Sequence, residues 1–115
     1  MSGDGDETAG DGHGAGDGDV PDDAVLDELF ATIESRKREL PEGSYTASLF
    51  THEKGDNAAL EKVGEESTEA ILAAKDGDTE ALAGESADLV YHLLVVLSMN
   101  DVGLADLRAE LRDRF

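Results

Sequence analysis

Residues 79–100 read TEALAGESADLVYHLLVVLSMN. Asp78 or Thr79 offers an N-cap oxygen, so the stretch predicts a helix running to about Asn100. Its second half, LVYHLLVVLSM, is apolar nearly all round. A helix of that kind is buried on several sides. The first half carries Glu85 and Asp88 at i, i+3, with His92 one turn further on. Two acids and an imidazole thus share one stripe of the most apolar helix in the chain. Leu89, Leu93 and Val96 flank that stripe on the side expected to face the core.

Working outward, Asp76-Gly77-Asp78 interrupts the chain, and Gly77 suits a left-handed turn position. Before it, residues 56–75 predict a helix with Leu60, Val63, Ser67, Ala70, Ile71 and Ala74 on one face. This helix carries Glu65, Glu66 and Glu69, with Lys62 one turn before Glu66. Further out, Pro21-Asp22-Asp23 starts a helix that ends near Glu39, ahead of Pro41. Val25, Leu26, Leu29, Phe30 and Ile33 form its apolar stripe. Residues 41–55, PEGSYTASLFTHEKG, lack helical periodicity and predict an ordered loop packed through Tyr45, Leu49 and Phe50. Beyond Gly103 a last short helix is expected from Leu104 to about Arg114. There is no hairpin signal and no repeat. The expected fold is all-α, a four-helix bundle over residues 21–115. Four helices of this size make a thin core. The helix over 79–100 has more apolar surface than one partner layer covers. A homodimer or dimer-based oligomer is therefore expected to complete the bundle.

Charge is distributed unevenly. The chain of 115 residues has a formal net charge of −19. Residues 1–23 hold eight acids, seven glycines and no Lys or Arg. Such a segment cannot bury an apolar face, so residues 1–20 are expected to be a disordered acidic tail. The remaining residues still carry −11, and lysine occurs only four times in the chain. An acidic surface poor in lysine suits a salt-rich, halophilic cytoplasm, where screening removes much of the self-repulsion. The same charge opposes nucleic-acid binding, which needs basic patches. Cysteine is absent, which excludes disulfides and thiolate chemistry. No run of 18 apolar residues and no signal-peptide pattern is seen, so no membrane association is expected and a cytoplasmic location is.

Glu85 and Asp88 sit where carboxylates are costly. An apolar setting disfavours the ionised form unless a partner compensates it. The chain has few cations to offer, and a bound divalent metal is the simplest compensation. Glu66 with Glu69 and Glu85 with Asp88, on neighbouring antiparallel helices, would bring four carboxylates to one place. All-oxygen ligation suits Mg²⁺ or Mn²⁺. A di-iron bundle needs Glu-x-x-His, which does not occur: His52 and His92 follow Leu and His13 follows Gly at that spacing. His92 reads as a packed or hydrogen-bonding histidine.

These residues resemble a known family. Glu65-Glu66-x-x-Glu69, fifteen residues, then Glu85-x-x-Asp88 is similar to the EExxE…ExxD signature of the MazG-like all-α NTP pyrophosphohydrolases. The segments Glu42-Gly43-Ser44-Tyr45-Thr46 with Leu49-Phe50, Lys62-Val63-Gly64-Glu65-Glu66 and Tyr91-His92-Leu93-Leu94 resemble, more narrowly, the phosphoribosyl-ATP pyrophosphatases. The likeness covers about residues 24–114. It implies Mg²⁺-dependent cleavage of phosphoribosyl-ATP between its α- and β-phosphates, giving phosphoribosyl-AMP and pyrophosphate in the second step of histidine biosynthesis. It also implies a helical homodimer, and without cysteine the chain looks like the form not fused to a zinc-dependent cyclohydrolase.

Splitting a phosphoanhydride needs charge neutralised on the oxygens and a water placed in line. The expected metal ligands are Glu66, Glu69, Glu85 and Asp88. Glu65, Glu66 and Glu69 form the expected catalytic set. Glu65 lies roughly 100° from Glu66 on the helical wheel, which suits a role toward the water. Arg36, Lys54, Lys62 and Lys75 are the cations available for phosphate, Lys62 being best placed by spacing. Ser44, Tyr45 and Thr46 are expected to hydrogen-bond the small-molecule nucleotide. Two other readings stand beside this one: a housekeeping NTP pyrophosphohydrolase of the same superfamily, and a non-catalytic acidic helical partner protein. One expectation follows from charge alone. The melting temperature should rise with KCl up to molar concentrations, and a flat or falling curve rejects the halophilic reading.

Overall fold

A computed structural model describes residues 20–115. The expected tail therefore lies almost wholly outside the described residues. A 3₁₀ turn, Asp22–Ala24, leads into five helices: α1 Val25–Glu39, α2 Tyr45–Phe50, α3 Asn57–Asp76, α4 Thr79–Met99 and α5 Leu104–Arg112. There is no strand among the described residues. The all-α class and the four predicted helices, three long and one short, are as expected; the first opens with the 3₁₀ turn before α1 begins at Val25, and the other ends shift by one or two residues.

The loop expected over 41–55 contains α2, which the sequence reading missed. A six-residue helix is marginal alone, because one turn fixes several dihedrals for few hydrogen bonds. Two features stabilise it here. Ser44 Oγ accepts from Ala47 N at 3.0 Å as the N-cap. Thr46, Ala47 and Leu49 are buried against the rest of the fold.

The α3–α4 hairpin is the centre of the molecule. Gly77 closes α3 in the left-handed region at φ 71°, and Asp78 Oδ1 caps α4 through Ala81 N at 3.0 Å. The buried face of α3 is not the expected stripe. Ala59, Glu66 and Ala73 face inward, whereas Leu60, Ile71 and Ala74 are exposed. Residues seven apart return to nearly the same side of a helix. Two alanines on this seam allow close approach, and the larger apolar residues are left outside. On α4 the buried set is Glu85, Asp88, Tyr91, His92, Leu94, Val95 and Ser98. Leu93, expected toward the core, is 40% exposed. By length and composition α4 could cross a membrane. In this fold it is the core helix, and its buried residues include two acids.

The outer helices close the core around α4. Ile33 of α1, Leu49 of α2, Ala59 of α3 and Leu104 of α5 pack with Tyr91, Leu94 and Val95. Polar ties fix the ends. Ser98 Oγ donates to Glu34 Oε2 at 2.6 Å, Lys37 Nζ donates to the Ser98 carbonyl at 2.7 Å, and Arg108 pairs with Asp27 at 2.7 Å.

Candidate active site

Acids on this chain belong to water, with few exceptions. Among the described residues only Glu66, Glu85 and Asp88 are buried acids. All three lie between α3 and α4 and belong to the expected metal set. The fourth member, Glu69, is exposed but lies beside Glu85. The Glu85 carboxyl is raised above its ordinary value, first by burial, then by the hydrogen bond and charge of Glu69, then by the charge of Asp88. Glu85 Oε1 is buried without a hydrogen-bond partner among the described residues. The helix pair thus brings the four expected carboxylates to one region.

This donor set fits a hard divalent cation. It offers only carboxylate oxygens, and Glu85 has a buried oxygen that lacks a donor. No group of three His, Asp or Glu side chains among the described residues converges on a single ligating point. A closed protein cage is not what Mg²⁺ requires: it keeps several waters and is held through one or two carboxylates plus substrate phosphates.

Glu66 is also anchored. Its Oε1 lies 2.7 Å from His92 Nδ1, and Tyr45 OH lies 2.9 Å from His92 Nε2. His92 is fully buried. The sequence reading treated it as a packed or hydrogen-bonding histidine, and it is both. Its contact with Glu66 joins α4 to α3, and i, i+4 spacing within one helix could not reveal a partner on another.

A cavity of about 380 Å³ between α2 and α3 carries two lysines, each paired with a glutamate. Tyr45, Lys54, Lys62 and Glu65 line it, together with Ser48, His52 and Glu61, which the sequence reading did not single out. Lys54 pairs with Glu61 at 3.0 Å, and Lys62 with Glu65 at 3.7 Å. On the other side, an open groove of about 530 Å³ runs along α4 past Asp78, Ala81, Gly84, Glu85 and Asp88.

Several expected substrate contacts fall elsewhere. Thr46 is buried, and its hydroxyl is hydrogen-bonded to Tyr91 OH. A hydroxyl enclosed in the core does not reach a ligand. Ser44 is engaged as a helix cap. Lys75 is exposed in the last turn of α3, thirteen residues from Lys62. At the helical rise this is about 20 Å along the axis, away from the α2–α3 cavity. Arg36 is half-buried on α1 and lines neither groove.

Comparison with known proteins gives a consistent result. The phosphoribosyl-ATP pyrophosphohydrolase family matches residues 26–115. A phosphoribosyl-ATP pyrophosphatase of Haloarcula marismortui is 73% identical over 90 residues, covering 78% of this chain and 92% of that protein. One of Natronomonas pharaonis is 72% identical over 106 residues, covering 92% of this chain and 98% of its own. One of Roseobacter denitrificans is 53% identical over 90 residues, covering 78% and 84%.

Three buried carboxylates are a liability to the fold when no cation is bound. With divalent ions chelated, Glu85→Gln should raise the melting temperature by a few degrees, because the amide removes a charge that burial, Glu69 and Asp88 all disfavour. The exposed control Glu61→Gln should leave it nearly unchanged. Thermal unfolding followed by circular dichroism measures both.

Proposed function

The chain belongs to the phosphoribosyl-ATP pyrophosphohydrolase family, and from that premise we propose how its carboxylate cluster performs the reaction. The protein is a hydrolase that converts phosphoribosyl-ATP to phosphoribosyl-AMP and pyrophosphate in histidine biosynthesis. The proposal concerns the cofactor, the residues and the assembly. A cytoplasmic location goes with it.

One observation supports the site: the only buried acids among the described residues gather with Glu69 between α3 and α4. Glu66, Glu69, Glu85 and Asp88 would hold Mg²⁺. When bound, the ion neutralises charge on the phosphate oxygens and favours the departure of pyrophosphate. The chain's own groups do the rest. Lys62 and Lys54 exchange their carboxylate partners for phosphate oxygens at the mouth of the α2–α3 cavity. Losing Lys62 as a neighbour leaves Glu65 available to orient a water. Glu69 is exposed, so it can accept a proton from that water and release it to solvent. Water oxygen bonds to phosphorus as the α–β anhydride bond breaks, and the leaving oxygen keeps the electron pair.

The assembly rests on the outer face of the hairpin. Leu60, Gly64 and Ile71 on α3 and Ala83, Ala87, Val90 and Leu93 on α4 are exposed at helical spacing. An apolar surface of this kind on a highly charged protein marks an interface. A second copy of the chain would cover it and complete the bundle.

Phosphorus NMR of the products tests the reaction. Phosphoribosyl-ATP with Mg²⁺ should give pyrophosphate and phosphoribosyl-AMP. Glu69→Gln and Glu85→Gln should each lower turnover at least about 100-fold with helicity intact. Full turnover in both variants defeats the site, and equal rates on ordinary NTPs would favour the housekeeping reading. For the assembly, Val90→Glu should convert a dimer to a monomer in sedimentation at high salt. An unchanged species would place the interface elsewhere.

A further inference from the structure

Two successive residues of α2 hydrogen-bond to two successive residues of α4. Tyr45 OH meets His92 Nε2, and Thr46 Oγ1 meets Tyr91 OH. The His92 ring is also packed edge-on against Tyr91, with centroids 4.8 Å apart, and against Tyr45 at 5.8 Å. The ring is fully buried. Its rotation is therefore fixed by α2 and by its own neighbour on α4.

The hydrogen bonds place a hydrogen on Nδ1. His92 Nδ1 lies 2.7 Å from Glu66 Oε1 and 3.1 Å from the Asp88 carbonyl oxygen. A carbonyl oxygen only accepts, so Nδ1 carries the hydrogen and points it at both oxygens. In the neutral ring Nε2 is an acceptor and the Tyr45 hydroxyl donates to it; in the imidazolium Nε2–H donates to the Tyr45 oxygen. In both forms the contacts join Tyr45 through His92 to Glu66, from α2 to the carboxylate cluster.

We propose that Tyr45 and His92 are positioning residues that aim the Glu66 carboxylate. They make its orientation depend on how α2 is seated. The proposal rests on the reading of Glu66 as a member of the carboxylate site. Neither residue needs to touch a reacting atom. Ligating carboxylates are held by such outer hydrogen bonds, and losing one typically costs about 10- to 100-fold in metal affinity or activity. Tyr45 then acts on the reaction through His92, in addition to lining the α2–α3 cavity.

Two substitutions of one residue separate aiming from packing. An Asn amide reproduces the Nδ1 donor of histidine, and a Gln amide reproduces the Nε2 end. His92→Asn keeps the donor to Glu66 but loses the partner of Tyr45, so its kcat should fall only as far as that of Tyr45→Phe, whereas His92→Gln, which loses the donor to Glu66, should show the larger loss, about 10- to 100-fold, with KM changed less than twofold. Tyr45→Phe should lower kcat with KM unchanged. Binding of Mn²⁺ alone, followed by electron paramagnetic resonance, should weaken more in His92→Gln than in His92→Asn. Nitrogen-15 NMR of the full chain without metal or substrate should show Nδ1 of His92 protonated. An Nε2–H tautomer, equal losses in the two His92 variants, or a Tyr45→Phe variant altered only in KM would each overturn the proposal. If wild type failed to hydrolyse phosphoribosyl-ATP, the functional reading would fall, while the Mn²⁺ and NMR measurements would still decide the positioning chain.

Discussion

Burial of carboxylates between two helices is the constraint around which this small fold is arranged. Glu66, Glu85 and Asp88 are enclosed by α3 and α4, and ionised groups are poorly tolerated there without hydrogen bonds or counter-charge. The neighbourhood answers this in part. Ala59 and Ala73 keep the inner face of α3 small beside Glu66. His92 fills the space across from it and engages one of its oxygens. Glu85 is left with a buried oxygen that lacks a donor. The site is thus strained electrostatically in the direction that a cation relieves, a common relation between function and stability.

The same residue type serves two opposite purposes. Exposed acids cover the outside and give the described region its strongly negative surface. They are individually interchangeable, since each is solvated. The buried acids are not, because each is held by particular neighbours on α3 and α4. Salt screens the first group effectively and the second much less. A chain adapted to high ionic strength can therefore accumulate surface acids without disturbing the chemistry of the enclosed ones.

The short α2 connects fold to chemistry. Alone its six residues would not hold a helix. Packed against α4, they lend Tyr45 and Thr46 to hydrogen bonds with His92 and Tyr91, more than forty residues away in the sequence, and Tyr45 also lines the α2–α3 cavity with Lys62.

The sequence by itself determined the all-α class, three long helices and a short last one, the paired carboxylates and the family. Each follows from local information: apolar spacing, the breakers Pro41 and Gly77, i, i+3 acids and an ordered set of short motifs. The tertiary structure decided what depends on partners. Glu66 rather than the Leu60–Ile71 stripe faces inward on α3, because the seam is chosen by what α4 presents to it. Residues 45–50 became helical because burial of Thr46, Ala47 and Leu49 outweighed weak local preference. Thr46 left the expected substrate set, and Lys75 fell at the far end of α3 from Lys62. His92 gained its meaning only from Glu66, twenty-six residues away. Helical periodicity identifies neighbours within one helix, whereas contacts between helices depend on the rotation and depth at which they pack, which no local pattern records.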